Sequence, residues 1–225
     1  MTEPKRWEVL HGDCLDVMRG MADASVDAVV TDPPYGLNFP YTGYVDSRDS
    51  LRGLIQDCFG EMLRVARRRV VIMPGPTQIG LWPQADWVGA VVWNTTGSHG
   101  KYGFNQWTPL SFYGKDVKGF GSVNGRLKSD VIRVSGGAGV GFNRSAEEKR
   151  HTCPKPLNVM REILVRFVEP GSLVLDPFTG SGTTGVAALR EGFRFVGIER
   201  EAQYVEIARA RISNEADPKG QSSLL

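Results

Sequence analysis

The chain has few of the residues that build disulfide frameworks and zinc sites. Its 225 residues include three cysteines, Cys14, Cys58 and Cys153, and three histidines. No two cysteines form a CxxC pair, and no cluster of histidines lies beside them. Structural zinc sites and secreted disulfide scaffolds both need such pairs, so the sequence argues against either one. We expect no metal ion and a reducing compartment, the cytoplasm.

The sequence also lacks a long apolar run. No stretch approaches the roughly 20 apolar residues that cross a bilayer, and the first residues lack the apolar centre of a signal peptide. We therefore expect no membrane partner. A net charge of +2 is too small to indicate a nucleic-acid partner by itself. The composition, 41% hydrophobic and 23% charged, is ordinary for a folded protein.

Short apolar strands alternate with helical patterns along the chain. The predicted strands are 26–31, 69–73, 90–93, 110–113, 172–175 and 193–198, and the predicted helices are 51–65, 157–168, 183–191 and 201–212. This alternation predicts an α/β fold, a mostly parallel twisted sheet with helices on both faces. We predict one domain over residues 1–213 and a flexible tail over 214–225.

A glycine-rich loop is predicted between a strand and a helix in the second half of the chain. It reads Asp176-Pro177-Phe178-Thr179-Gly180-Ser181-Gly182-Thr183-Thr184. Such a loop lets the backbone approach a ligand, and Glu199 at the end of the next strand can accept hydrogen bonds from two ribose hydroxyls. No lysine follows Gly182, which argues against a triphosphate. The pattern predicts an adenosine compound, although the glycines alone are also typical of a plain turn.

A second motif, Asp32-Pro33-Pro34-Tyr35, follows the strand predicted at 26–31 and precedes the glycine-rich loop. With His11-Gly12-Asp13-Cys14-Leu15, this order resembles the circularly permuted (beta-group) amino-methylating DNA methyltransferases. The resemblance covers residues 9–37 and 151–212. It implies a Rossmann-like methyltransferase fold, S-adenosylmethionine as the cofactor, and DNA as the partner. Thr152-Cys153 departs from the family's usual His-Pro-Thr opening.

The resemblance also implies roles for individual residues. Asp13 accepts from the amino group of the cofactor's adenine, and Lys155 packs by the methionine part. The complete set of expected cofactor contacts is Asp13, Cys14, Leu15, Asp32, Lys155, Asp176, Pro177, Phe178, Gly180, Ser181, Gly182, Thr183, Thr184, Glu199 and Arg200.

The tetrapeptide suits the chemistry of an exocyclic amino group, whose lone pair is delocalised into the base. The Asp32 carboxylate and the Pro33 carbonyl can each hold one amino hydrogen, while Pro33 and Pro34 stiffen the loop. Tyr35 is expected to stack on a base rotated out of the duplex, in a pocket lined by Phe39, Tyr41 and Tyr44. A rigid turn around a buried tyrosine is the alternative if the four residues are considered alone.

The alternatives to adenine methylation differ in what they require of the sequence. Asp32 favours adenine, because cytosine amino-methylating members more often begin the tetrapeptide with serine; cytosine stays the second candidate. No cysteine follows a proline, which excludes methylation of a ring carbon. RNA or protein amide methyltransferases usually have asparagine first and an earlier cofactor loop. A non-catalytic DNA-binding relative would be expected to lose Asp32, Tyr35 or the Gly180 loop.

Residues 94–150 form a distinct, locally basic segment. They contain 11 of the 27 glycines, seven aromatic residues, and nine Lys or Arg against four Asp or Glu, a net charge of +5. We predict a small inserted target-recognition segment, although a solvated glycine-rich loop has the same composition. The expected DNA contacts are Lys101, Lys115, Lys118, Arg126, Lys128, Arg133 and Arg144. The sequence leaves the target site, a companion nuclease and a homodimer open.

Overall fold

A computed structural model describes residues 5–41, 43–93, 98–100, 103–114, 122–123, 126–127, 129–134 and 155–216. The helices are α1 Cys14–Gly20, α2 Arg48–Val65, α3 Leu157–Phe167, α4 Thr183–Arg190 and α5 Ala202–Ala216, with a single 3₁₀ turn at Ile79–Leu81 among the described residues. The strands are β1 Trp7–His11, β2 Val26–Thr31, β3 Pro40–Tyr41, β4 Tyr44–Val45, β5 Ala66–Ile72, β6 Trp87–Trp93, β7 Ser98–Gly100, β8 Gly103–Asn105, β9 Trp107–Gly114, β10 Ser122–Val123, β11 Arg126–Leu127, β12 Val131–Val134, β13 Leu173–Asp176 and β14 Arg194–Glu199.

Eight strands form one sheet in the order β1-β14-β13-β2-β5-β9-β6-β12. β9 runs antiparallel to β5 and β6, and every other neighbouring pair is parallel. The predicted α/β fold with a mostly parallel sheet is thereby confirmed. The parallel arrangement brings the carboxyl ends of β1, β14, β13 and β2 to one edge of the sheet.

The two faces of the sheet have separate apolar cores. On one face α3, α4 and α5 pack through a cluster that includes Phe167 and Phe195. On the other face α1 and α2 pack through a cluster that includes Met18 and Met62. The rings of Phe112 in β9 and Phe167 in α3 meet edge to face with centroids 4.7 Å apart. Each such side chain stabilises the fold by about 1.5–3 kcal/mol through burial.

Several element boundaries differ from the sequence prediction. α2 begins at Arg48 rather than at 51 because Ser47 Oγ caps the helix by accepting from Ser50 N. α5 continues to Ala216, so the tail predicted from residue 214 is wrong for its first three residues; residues 217–225 lie outside the described residues. Strand β1 and helix α1 were not predicted, since this part of the sequence was interpreted as a motif.

The predicted insertion at 94–150 overlaps the central sheet. β9 lies between β5 and β6, and β12 pairs with β6, so both strands belong to the main sheet and not to a separate segment. Arg133 is exposed on β12. The side chains of the other predicted DNA contacts, and those of His151 and Cys153, lie outside the described residues. Over the ranges given above, no helix is both long and apolar enough to cross a membrane.

Candidate active site

The loops that follow β1, β2, β13 and β14 enclose a cavity of about 290 Å³. Its walls bring the tetrapeptide together with most of the expected cofactor contacts. The predicted residues that line it are Asp13, Cys14, Asp32, Pro33, Pro34, Tyr35, Phe39, Tyr41, Tyr44, Lys155, Asp176, Pro177, Phe178, Gly180, Ser181, Thr183, Thr184, Glu199 and Arg200. Motifs separated by about 145 residues in sequence therefore share one site.

Two predicted contacts do not line this cavity. Leu15 packs against the core between the sheet and α1 and α2. Gly182 has a φ of +83° and precedes α4, and a Cβ there would lie 3.0 Å from the Cα of Ala208. Gly182 thus allows α4 and α5 to approach closely, which is a packing role that requires glycine. The roles of both residues in cofactor binding stay predictions.

The tetrapeptide carboxylate is held by two donors from the protein. The Tyr35 hydroxyl donates to Asp32 Oδ1 at 2.6 Å, and Lys155 Nζ donates to Asp32 Oδ2 at 2.7 Å. Lys155 Nζ also lies 4.8 Å from the centroid of the Tyr35 ring. The sequence predicted that Lys155 packs by the cofactor, and the structure places its ammonium on the tetrapeptide. The pair links positions 123 residues apart.

Burial and charge set the protonation states around Asp32. Burial alone would lower the pKa of Lys155, but the negative charge of Asp32 outweighs it and raises that pKa above its ordinary value. Burial, together with the charge of Asp32, raises the pKa of Tyr35 well above its usual range. Lys155 is therefore cationic and Tyr35 is a neutral donor near pH 7, so both orient the Asp32 carboxylate as an acceptor.

Asp176 is a buried anchor of the glycine-rich loop. Its Oδ1 accepts from Thr31 Oγ1 at 2.7 Å and from Phe178 N at 3.1 Å, and its Oδ2 accepts from Thr184 Oγ1 at 2.6 Å. These bonds join the end of β2 to the first turn of α4. Burial raises the pKa of Asp176 to about 6, against the opposing effect of the three donors. Asp176 thus shapes the loop by bonds within the protein.

Glu199 connects the glycine-rich loop to the end of β14. Its Oε2 accepts from Gly180 N at 2.9 Å, and its Oε1 accepts from Glu201 N at 2.8 Å. Burial raises the pKa of Glu199, and the backbone donors oppose that rise. Because each carboxylate oxygen has two lone pairs, both oxygens can still accept from a ligand hydroxyl. The predicted ribose-binding chemistry is compatible with this arrangement.

The sequence analysis did not identify Asp46, which organises the loop after the tetrapeptide. The buried Asp46 carboxylate accepts from the backbone nitrogens of Gly36 at 2.7 Å and of Leu37 and Phe39 at 3.0 Å each. Gly36 has a φ of +67°, and a Cβ there would lie 2.9 Å from the carbonyl oxygen of Ser47. Asp46 precedes the capping residue of α2, so the sequence pattern indicates only a helix start.

The cavity also contains polar atoms that have no partner in the protein. Within the described part of the chain, the Tyr44 hydroxyl and Glu201 Oε1 are buried without a hydrogen bond. Buried polar atoms are nearly always satisfied, so this pair fits a site built for a polar ligand such as an adenosine compound. Among the described residues, no group of three His, Cys, Asp or Glu side chains could hold a metal ion.

Comparison with known proteins agrees with this geometry. The sequence profile of the DNA methylase family of the N6/N4 type matches residues 87–210, more than half of the chain. The chain belongs to this family of amino-methylating DNA methylases. The chain is 29% identical over 215 residues to YubD of Escherichia coli (strain K12), a protein named as a methylase. The match covers 91% of this chain and 89% of YubD.

Other relatives of this DNA methylase have more specific names. The type II methyltransferase M.HinfI of Haemophilus influenzae is 24% identical over 242 residues, covering 91% of this chain and 67% of M.HinfI. The structure of an M1.HpyAVI–SAM complex has a TM-score of 0.66 at 21% identity, covering 92% and 98% of the two chains. The cytosine-N4-specific PvuII methyltransferase has a TM-score of 0.69 at 14% identity, covering 95% and 92%. Both structures share the S-adenosylmethionine-dependent methyltransferase fold.

Proposed function

We propose that this DNA methylase transfers a methyl group from S-adenosylmethionine to the exocyclic amino nitrogen of adenine in DNA. The observation that carries the proposal is the Asp32 carboxylate, fixed by Tyr35 and Lys155 in the same cavity as Glu199 and the Gly180 loop. An acceptor for an amino group and a loop suited to an adenosine compound thereby share one cavity. When bound, S-adenosylmethionine supplies an electrophilic methyl group on a sulfonium centre.

Two acceptors of the tetrapeptide make the amino group a better nucleophile. Asp32 accepts one amino hydrogen and the Pro33 carbonyl the other, so that the lone pair of the nitrogen is localised and directed at the methyl group. The nitrogen must lose a proton when the new bond to carbon forms, and Asp32 is the acceptor that we assign to it. Lys155 and Tyr35 hold the Asp32 carboxylate in place for that step through their hydrogen bonds to its two oxygens.

The target base must leave the duplex to reach this cavity. Aromatic side chains line the cavity, and the ring centroids of Phe39 and Tyr41 are 4.9 Å apart. Tyr35 is the residue to which we assign stacking with the flipped base. Asp32 as the first residue of the tetrapeptide supports adenine. Cytosine is the second candidate, because the PvuII enzyme of the same fold is named as cytosine-N4-specific.

The first test uses DNA amplified in vitro, which carries no methyl groups. Purified protein and methyl-labelled S-adenosylmethionine are incubated with this DNA, and the nucleosides are analysed by mass spectrometry. We expect N6-methyl-2′-deoxyadenosine. N4-methyl-2′-deoxycytidine would reverse the choice of base, and absence of label from DNA would contradict the proposal and direct the search to RNA or protein.

A substitution separates chemistry from cofactor binding. Asp32→Ala should abolish methyl transfer and leave the Kd for S-adenosylhomocysteine within about twofold, because Asp32 serves mainly the target amino group. Asp49→Ala is the matched control, since the Asp49 side chain is 89% exposed on α2. Equal loss of transfer and cofactor binding in Asp32→Ala would show that Asp32 has a mainly structural role.

A further inference from the structure

A short hairpin covers one side of the cavity. β3 and β4 pair Pro40 with Val45 and Tyr41 with Tyr44. Asp46 follows β4 directly and fixes the other end of the hairpin through its three backbone hydrogen bonds. The rings of Tyr41 and Tyr44 lie with centroids 6.1 Å apart. Tyr44 is therefore held in place by the backbone on both sides of it and lines the cavity.

The Tyr44 side chain is engaged at its ring but not at its hydroxyl. The guanidinium carbon of Arg200 lies 5.4 Å from the ring centroid, a cation–π distance that fixes the ring. The hydroxyl is buried without a hydrogen-bond partner in the part of the chain that the structure describes. Burial raises the pKa of Tyr44 to about 12, so the hydroxyl keeps its proton and is available as a donor. An unmade bond to a buried hydroxyl costs about 1–3 kcal/mol.

The position of Tyr44 indicates which part of a cofactor it meets. Arg200, which contacts the Tyr44 ring, follows Glu199, the expected partner of the ribose. Asp13, the residue expected at the adenine amino group, lines the same cavity. The hydroxyl thus lies in a cavity whose wall includes the residues expected at both the ribose and the adenine. The ring nitrogens of adenine are acceptors, which is the complement of a tyrosine donor.

We propose that the Tyr44 hydroxyl donates a hydrogen bond to a ring nitrogen of the cofactor's adenine, with Arg200 holding the Tyr44 ring in place. This inference rests on S-adenosylmethionine as the cofactor and assigns Tyr44 to the cofactor side of the cavity instead of the base pocket predicted from sequence. Tyr44 then determines specificity for adenosine and takes no part in methyl transfer itself.

Calorimetric titration with S-adenosylhomocysteine tests the assignment on the full chain. Tyr44→Phe should weaken the Kd about fivefold and leave the melting temperature of the ligand-free protein unchanged or higher, because a buried unsatisfied hydroxyl is removed. Tyr113→Phe is the matched control: its hydroxyl donates to the Pro83 carbonyl at 2.9 Å outside this cavity. That variant should melt at a lower temperature with an unchanged Kd. An unchanged Kd in Tyr44→Phe overturns the proposal.

Ligand analogues identify the partner atom. The 1-deaza, 3-deaza and 7-deaza analogues of S-adenosylhomocysteine each lack one ring nitrogen of adenine. One of them should bind the wild-type protein about fivefold more weakly and bind Tyr44→Phe without further loss. If the loss in Tyr44→Phe persists with all three analogues, the contact is not to adenine and the assignment is wrong. Failure of the wild type to methylate DNA would instead contradict the proposed function, which these binding titrations do not measure.

Discussion

Lys155→Met tests whether the buried ammonium positions the Asp32 carboxylate for methyl transfer. Methionine preserves most of the side-chain length and removes the charge and the hydrogen bond to Asp32 Oδ2. The Lys155 and Asp32 side chains are 14% and 24% exposed, so water only partly replaces the lost partner. Removing one member of a buried pair costs about 3–5 kcal/mol, and the remaining exposure of Asp32 reduces this to about 2–3 kcal/mol.

This energy predicts a loss of methyl-transfer rate. A cost of about 2–3 kcal/mol that falls on the transition state lowers kcat by about 30- to 150-fold. The loss should appear in kcat and leave the Kd for S-adenosylhomocysteine within about twofold, because the lost bond is to Asp32. The assay is the initial rate of label transfer to amplified DNA at saturating cofactor.

Two controls accompany the Lys155→Met measurement. Lys155→Arg keeps the positive charge and a hydrogen-bond donor, so it should keep more of the rate than Lys155→Met. Arg52→Met removes an exposed ion pair with Asp49 on α2 and should leave the rate unchanged. A Lys155→Met enzyme with the wild-type rate would refute the argument that Lys155 positions Asp32.

Three further substitutions test the loops around the site. Asp46→Asn replaces one acceptor oxygen by a donor NH2 group, whereas the backbone nitrogens need acceptors. Chemical denaturation should therefore show a free energy of unfolding lower by about 2 kcal/mol. An unchanged denaturation midpoint would contradict the role of Asp46. The pKa of Asp176 is raised from 3.8 to about 6 in the folded state, so its contribution to stability, about 3 kcal/mol, is present below pH 4 and is lost as the pH rises through 6. Asp176→Asn should remove that part of the pH dependence. If the free energy of unfolding changes with pH in the same way in variant and wild type, Asp176 does not make this contribution. Gly182→Ala should lower the free energy of unfolding by about 2–3 kcal/mol, because the residue has a φ of +83° and the new Cβ would lie 3.0 Å from Ala208. Gly43→Ala should lower it by about 1 kcal/mol, because Gly43 has a φ of +71° and no neighbour within 4 Å. Equal losses of melting temperature in the two alanine variants would mean that the contact with α5 is unimportant.

The site could be located from the sequence because its motifs directly follow predicted strands. Asp32 comes after β2, Asp176 ends β13 and Glu199 ends β14. Strands of alternating α/β units are parallel, so their carboxyl ends meet at one edge of the sheet. Hydrophobic patterning therefore predicted both the fold and the shared cavity. The predicted ends of the elements were less accurate, because capping by Ser47 and packing of α5 extend the helices beyond their apolar patterns.

Contacts between side chains that are distant in sequence could not be predicted in the same way. Asp46 looks like part of a helix start, although its carboxylate holds the loop of the tetrapeptide. The sequence predicts that Tyr44 lines the base pocket, because it is an aromatic residue near the tetrapeptide. Its unsatisfied hydrogen bond and its contact with Arg200 become visible only when the hairpin and the end of β14 are in place.

The sequence by itself determined the alternation of most strands and helices and the position of the two motifs at the carboxyl ends of strands, because these depend on local patterns of apolar and glycine residues. The meaning of the motifs came from the resemblance to a known family. Only the tertiary structure decided the protonation and orientation of the reacting groups. Asp32 is paired with Lys155 across 123 residues, and Asp176 is buried among donors from β2 and α4. Distance and burial fix electrostatic energies, and both arise from the packing of the whole chain.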